Sequence, residues 1–159
     1  MIIFISGSIN AGKSTVAKIV AGKIKNCAIL EIDDLRQLVS WLPIDQAVPI
    51  CLKNTVFIIK KFSQKKIDVV VPYPLSEKNY RYLKKSLKGL KEKIYFFTLN
   101  PDLKSVLRNR GTRKLSVKEK NRIKYHYQIG INQPSFGITI NNTNQTANQT
   151  AKIILKNIK

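Results

Sequence analysis

Acidic residues are scarce in this chain: nine, against 29 lysines and arginines in 159 residues. The formal charge of +20 predicts attraction to anions, from nucleotides and phosphorylated metabolites to nucleic acid, without choosing among them. Lysine far outnumbers arginine, and asparagine and isoleucine are abundant, which is the look of a compositional bias. The plain reading is therefore a solvated basic surface rather than a dedicated polyanion groove. Cysteine is confined to Cys27 and Cys51, which fit no metal-ligand spacing and read as small buried hydrophobes. No apolar run is long enough to span a membrane, and a strand beginning at the second residue leaves no room for a cleavable signal peptide, so a cytoplasmic location is expected. The length suits one domain, 1–159, with a real core and no space for a second catalytic domain.

What is present is equally specific. The apolar run Ile2-Ile3-Phe4-Ile5 leads directly into Gly7-Ser8-Ile9-Asn10-Ala11-Gly12-Lys13-Ser14, the spacing GxxxxGK[ST] at a strand-to-helix turn. Such a loop curls backbone N–H groups round a phosphate, sends its lysine to the outer phosphates and offers the hydroxyl that follows to a magnesium ion. The residues expected to contact nucleotide are Gly7, Ser8, Asn10, Ala11, Gly12, Lys13, Ser14 and Thr15, with Ser14 also at the metal.

Apolar runs alternate with segments of helical period, the pattern of a parallel sheet with helices on both faces. Strands are expected near 2–6, 27–32, 67–71, 94–98 and 136–141, and helices over 14–24, 34–41, 47–64 and 76–92. In the last of these, Tyr80, Leu83, Leu87 and Leu90 form an apolar stripe opposite a basic face. Asn100-Pro101 reads as an N-cap and first helical position for a helix to about Arg110. Ser116-Val117-Lys118-Glu119 is a capping box that opens the next helix. The asparagine- and threonine-rich segment from Asn141 to Thr150 reads as a loop into a final helix with Ile153, Ile154 and Ile158 inward. Trp41, after an amphipathic turn, reads as core packing.

Two further constellations bear on mechanism. At the end of the second strand stands Glu31-Ile32-Asp33-Asp34-Leu35-Arg36-Gln37, at the sheet rim where the phosphate loop also lies. Asp33 there can accept or orient a substrate hydroxyl proton, or hold a magnesium-bound water; Asp34 and Arg36 follow as substrate contacts, Arg36 suited to an anionic group. The second is Arg108-Asn109-Arg110-Gly111-Thr112-Arg113, an arginine-bearing segment between two helices that reads as a lid over about 111–118. Strand three ends Val71-Pro72-Tyr73-Pro74 without the acid that ATPases place there for magnesium, which disfavours a mechanical ATPase. Tyr73 is expected to line the acceptor pocket, although a rigid strand exit explains Pro72-Tyr73-Pro74 as well.

In the order of these motifs the chain resembles the P-loop kinases of small substrates, the group of nucleoside monophosphate, shikimate, adenylylsulfate, chloramphenicol and polynucleotide 5′-hydroxyl kinases. The resemblance covers nearly the whole chain. It implies a three-layer α/β P-loop NTPase fold with a five-stranded parallel sheet in the order 2-3-1-4-5 and a short arginine lid. It also implies ATP and Mg2+ as cofactors, Lys13 at the phosphates, Asp33 as base and metal partner, Arg108 near the adenine, and Arg110 or Arg113 at the transferred phosphoryl group. His126, the sole histidine, reads as structural, because kinases of this group take their base from the acid. The leading expectation is a kinase that transfers the γ-phosphoryl group of ATP to a hydroxyl of a small molecule. Asp33-Asp34-Leu35-Arg36-Gln37 also matches the polynucleotide 5′-hydroxyl kinases, which makes a nucleic-acid end the alternative acceptor. A nucleotide-binding regulator with little turnover is the third reading, motivated by the missing acid after strand three.

Overall fold

The computed structural model describes residues 1–108 and 114–158. The expected phosphoryl contacts Arg110 and Arg113, and residues 111–113 of the expected lid, lie outside the described residues. The strands are β1 (Ile2–Gly7), β2 (Cys27–Ile29), β3 (Asp68–Pro72), β4 (Ile94–Leu99) and β5 (Ile138–Ile140). They form one parallel sheet in the order β2-β3-β1-β4-β5, as the resemblance implied. The helices are α1 (Lys13–Ala21), α2 (Ile32–Gln37), α3 (Ile44–Gln64), α4 (Glu77–Ser86), α5 (Leu103–Val106), α6 (Val117–Gln128) and α7 (Ala147–Asn157).

The central strand β1 is apolar on both faces, as a buried parallel strand must be. Ile3 and Ile5 pack with Val16, Ala17 and Val20 of α1 and with Ala151 and Ile154 of α7. Ile2 and Phe4 face the other layer, against Cys51, Leu52, Val56 and Ile59 of α3, Leu83 of α4 and Leu87 just past its end. The helix ends at Ser86, short of the expected 92, so Tyr80 and Leu83 of the expected stripe lie on α4 and Leu87 and Leu90 in the turn after it, all four packed in this layer; Tyr80 stacks on Phe136 with ring centroids 3.8 Å apart. Two capping boxes set helix starts, Ser116 with Glu119 on α6 and Thr146 with Gln149 on α7.

Several local expectations change. β2 stops at Ile29 because Glu31 already caps α2, so Asp33 and Asp34 sit in that helix's first turn rather than at a strand end. The helix expected from Asn100 is only the short α5, capped by Asp102, whose carboxylate accepts from Ser105 N at 2.6 Å. Asn100 is otherwise engaged: its amide nitrogen extends the β5 ladder to the Ile140 carbonyl, and its side chain accepts from Asn132 at 2.9 Å. Trp41 is not core; it is 76% exposed in the turns between α2 and α3, past the point where α2's amphipathic phase ends. Cys51 is buried and Cys27 half-buried, both free thiols. Burial pushes the Cys27 thiol up to about 11, with the Asp68 charge adding, and raises Cys51 as well. No described helix is long and apolar enough to cross a membrane.

Candidate active site

Every strand runs the same way, so the turns that leave the strands collect at one rim of the sheet. The loop between β1 and α1 is held there by a backbone few other residues could follow. Gly7 has φ 136° and packs so closely on β4 that a Cβ would stand 2.6 Å from the Leu99 carbonyl oxygen. Asn10 (φ 64°) and Gly12 (φ 95°) both adopt left-handed backbone, which turns successive amides toward the loop's centre. The loop is fixed from outside as well. The Asn10 side-chain amide donates to the carbonyls of Val106 at 2.8 Å and Arg108 at 3.0 Å, tying the loop to the end of α5. The buried Asn142 side chain donates to the Ala11 carbonyl at 3.0 Å. Lys13 Nζ reaches back across the loop to the Ser8 carbonyl at 2.8 Å. Ser14 and Thr15, on the first turn of α1, are exposed.

The second acidic segment meets the loop through a residue the sequence reading did not choose. Glu31 lies near the Ser14 hydroxyl and the Lys13 ammonium, both of which act on its carboxyl. Burial raises the Glu31 carboxyl, and the charges of Asp34 and Asp33 raise it further, while Ser14 and Lys13 pull it back. A hydroxyl beside carboxylate oxygens is the hard-oxygen donor set that suits Mg2+. The signal was legible: Glu31 and Asp33 are separated by one residue at the turn from β2 into α2, which leaves both at the rim.

These residues line one cavity of about 830 Å3, within the range of small-molecule sites. Lys13, Ser14, Glu31, Asp33 and Arg36 are on its wall, together with Tyr73 and its flanking prolines. Ile44 and Val48 of α3 add an apolar side. Asp34 is exposed on α2 and is not part of the wall, unlike its expected role as a substrate contact. Tyr73 is buried, and its phenol is pushed up to about 12 by that burial and by the Asp33 charge, so it faces the cavity neutral. Arg108, expected near the adenine, is exposed at the end of α5, and its carbonyl holds Asn10.

The far wall is α6, which contributes Lys118, Arg122, Tyr125 and His126. None of these was chosen from sequence as a site residue, because helix α6 showed only its capping box. The Arg122 guanidinium lies 5.2 Å over the Tyr125 ring. His126 is 3% exposed and its Nδ1 lies 3.3 Å from the Ser8 hydroxyl, so the residue read as structural supports the phosphate loop directly. Burial pushes its pKa down to about 4, helped by the charges of Arg122 and Lys13, so the ring is neutral near pH 7.

No protein-family model and no curated protein matches the chain. Solved structures do match, along almost the whole length. The APS kinase of Mycobacterium tuberculosis, solved with AMPPNP and APS, superposes with a TM-score of 0.75 at 18% identity, covering 98% of this chain and 95% of that one. A gluconokinase from Sinorhizobium meliloti gives 0.72 at 16% identity over 97% of this chain and 89% of its own. The tunicamycin resistance protein of Deinococcus radiodurans gives 0.67 at 18% identity, covering 99% and 94%. At such identities the likeness establishes the fold alone: the five-stranded parallel α/β architecture of this chain is the one these kinases share.

Proposed function

We propose that the protein is an ATP- and Mg2+-dependent kinase that transfers the γ-phosphoryl group directly to a hydroxyl of a small molecule. The observation that carries this reading is that Lys13 and Ser14 of the phosphate loop share one cavity wall with Asp33 and Arg36 of α2. Structural likeness to an APS kinase and a gluconokinase supports the reaction class. The fold is shared with enzymes that act on acceptors of quite different chemistry, so the acceptor is read from this cavity.

In this reading the amides of residues 8–14 and the Lys13 ammonium bind the β- and γ-phosphates, with Lys13 exchanging the Ser8 carbonyl for phosphate oxygens. Ser14 and Glu31, with Asp33 close by, hold the magnesium ion, which neutralises phosphate charge when bound. Asp33 takes the proton of the acceptor hydroxyl as its oxygen bonds to the γ-phosphorus; the bond to the bridging oxygen breaks and ADP leaves. Arg36 and, from α6, Arg122 orient an anionic part of the acceptor, while Tyr73, Ile44 and Val48 pack on its apolar part. Arg110 and Arg113 remain the proposed contacts to the moving phosphoryl group. The cavity wall mixes acids with bases, and its volume suits a small acceptor better than a nucleic-acid strand.

Asp33→Asn separates binding from chemistry. It is expected to keep the nucleotide affinity of the native protein while transfer falls by about 10²- to 10⁴-fold, the usual contribution of a positioned base. Transfer at the native rate would contradict the role given to Asp33, and lost nucleotide affinity would move that residue to the nucleotide side of the cleft.

A further inference from the structure

Outside the cavity, six exposed lysines gather at the other end of the molecule, where few acids accompany them. In a parallel sheet the segments entering the strands lie opposite the rim that carries the phosphate loop, and here three of them are lysine-bearing. Lys23 and Lys25 precede β2, Lys65 and Lys66 precede β3, and Lys88 and Lys91 precede β4; all six are exposed. The segments are fastened together. Asn26 donates its side-chain amide to the Lys66 carbonyl at 2.9 Å, Asp68 N bonds the Asn26 carbonyl at 3.0 Å, and Ile2 N bonds the Lys93 carbonyl at 2.8 Å. Acids follow the opposite distribution. Seven of the nine lie on segments at the catalytic rim, from Glu31 and Asp33 to Glu119. The two at the basic end are Asp68, which pairs with the amino-terminal ammonium, and Glu92.

Lysines also occur on α3, α4, α6 and α7, but the acids gather at one end and leave the other with little to offset its lysines. We propose that this end is a docking surface for the phosphate backbone of a nucleic acid, separate from the cavity and independent of the reaction assigned to it. Strands β2 and β4 flank β3 and β1, so at about 4.8 Å per strand the lysine-bearing segments extend over about 14 Å. That reach is close to the roughly 12 Å major groove of a duplex, so lysines at its two ends can meet phosphates on both strands. The exposed large apolar side chains lie elsewhere, at Trp41, Phe57, Val117 and their like, and none belongs to the three basic segments. A surface made to enter a bilayer interface would carry such side chains. The contact is to backbone and carries no sequence information.

The test uses the full chain, a short fluorescein-labelled DNA duplex and fluorescence anisotropy at several salt concentrations. One variant replaces Lys23, Lys25, Lys65, Lys66, Lys88 and Lys91 by glutamine. A second, matched in charge, replaces Lys18, Lys53, Lys78, Lys104, Lys120 and Lys152. The first is expected to lose about tenfold or more in affinity and to flatten the slope of log K against log salt by about three to five, at roughly 0.9 per phosphate contact. The second is expected to stay within about threefold of the native protein. Equal losses in both variants would overturn the proposal in favour of diffuse net charge. Absence of duplex binding, or binding only to phosphatidylserine vesicles, would overturn it too. Thermal melts of both variants ensure that a folding defect is not read as lost binding.

Discussion

Nδ1 of His126 lies 3.3 Å from the hydroxyl of Ser8, a contact across 118 residues that sets helix α6 against the second residue of the phosphate loop. Both partners are buried, and the ring sits in the field of Arg122 and Lys13. Protonation there meets burial and like charge at once. Folded His126 titrates near 4 and the unfolded side chain near 6.5, so the unfolded state takes up the proton first as pH falls. Stability from this site is therefore complete above about pH 6.5 and is lost between there and pH 4, by roughly 3 kcal/mol in all. Thermal melts across that range check this, with His126→Gln expected to be less stable at pH 7 but to show a smaller fall on acidification. An equal fall in the variant would assign the acid sensitivity to other groups.

Glu31→Gln keeps the shape of the side chain but removes the charge beside Ser14. If Glu31 holds magnesium, the variant needs about tenfold or more Mg2+ for half-maximal turnover, while the maximal rate at saturating metal is lowered less. Titrating turnover against Mg2+ distinguishes this from a general loss. An unchanged half-saturation would leave the metal to Ser14 and Asp33.

Asn142 fixes the phosphate loop from below through the carbonyl of Ala11. Asn142→Ala leaves that buried carbonyl without its donor, at an expected cost of about 1–3 kcal/mol in stability and a weaker affinity for nucleotide. Denaturant unfolding and calorimetric nucleotide titration read the two effects separately. A variant with native stability and affinity would show that the loop holds its shape without this bond.

Gly7→Ala places a methyl group 2.6 Å from the Leu99 carbonyl oxygen at a φ of 136°. Neither strand can retreat without disturbing the β1–β4 ladder, which pairs Gly7 with Leu99. The expected result is a loss of about 2 kcal/mol or more, seen as a lower melting temperature. A melting temperature within experimental error of the native protein would contradict the close packing drawn here.

How far the sequence could be read depended on whether a signal was local. The phosphate loop was legible to the residue, because glycine, lysine and serine at fixed spacing leave one geometry. Sheet order followed from the resemblance those motifs carry, and the stripe Tyr80, Leu83, Leu87 and Leu90 named the side chains this segment packs inward, although the helix itself ends at Ser86. Asn142 was not legible: nothing in an asparagine-rich run marks which amide will turn inward, and that choice is made where the chain leaving β5 meets the phosphate loop at Ala11. Glu31 stood in the acidic motif, yet its place near Ser14 depends on where β2 gives way to α2, and strand ends are poorly encoded in short apolar runs. Trp41 was misread for the same reason, since α2 ends earlier than its apolar period suggested. Asn100 lost the capping role to Asp102 because tertiary partners, Ile140 and Asn132, claimed its groups first.

The most direct test of the account is transfer from γ-labelled ATP with magnesium, offered in parallel to a panel of small hydroxylated metabolites and antibiotics and to 5′-hydroxyl oligonucleotides. Label is expected on a small molecule and not on the oligonucleotides, with transfer abolished in Lys13→Ala. Label on oligonucleotide ends, or ATP bound tightly with label on nothing in either pool, would contradict it.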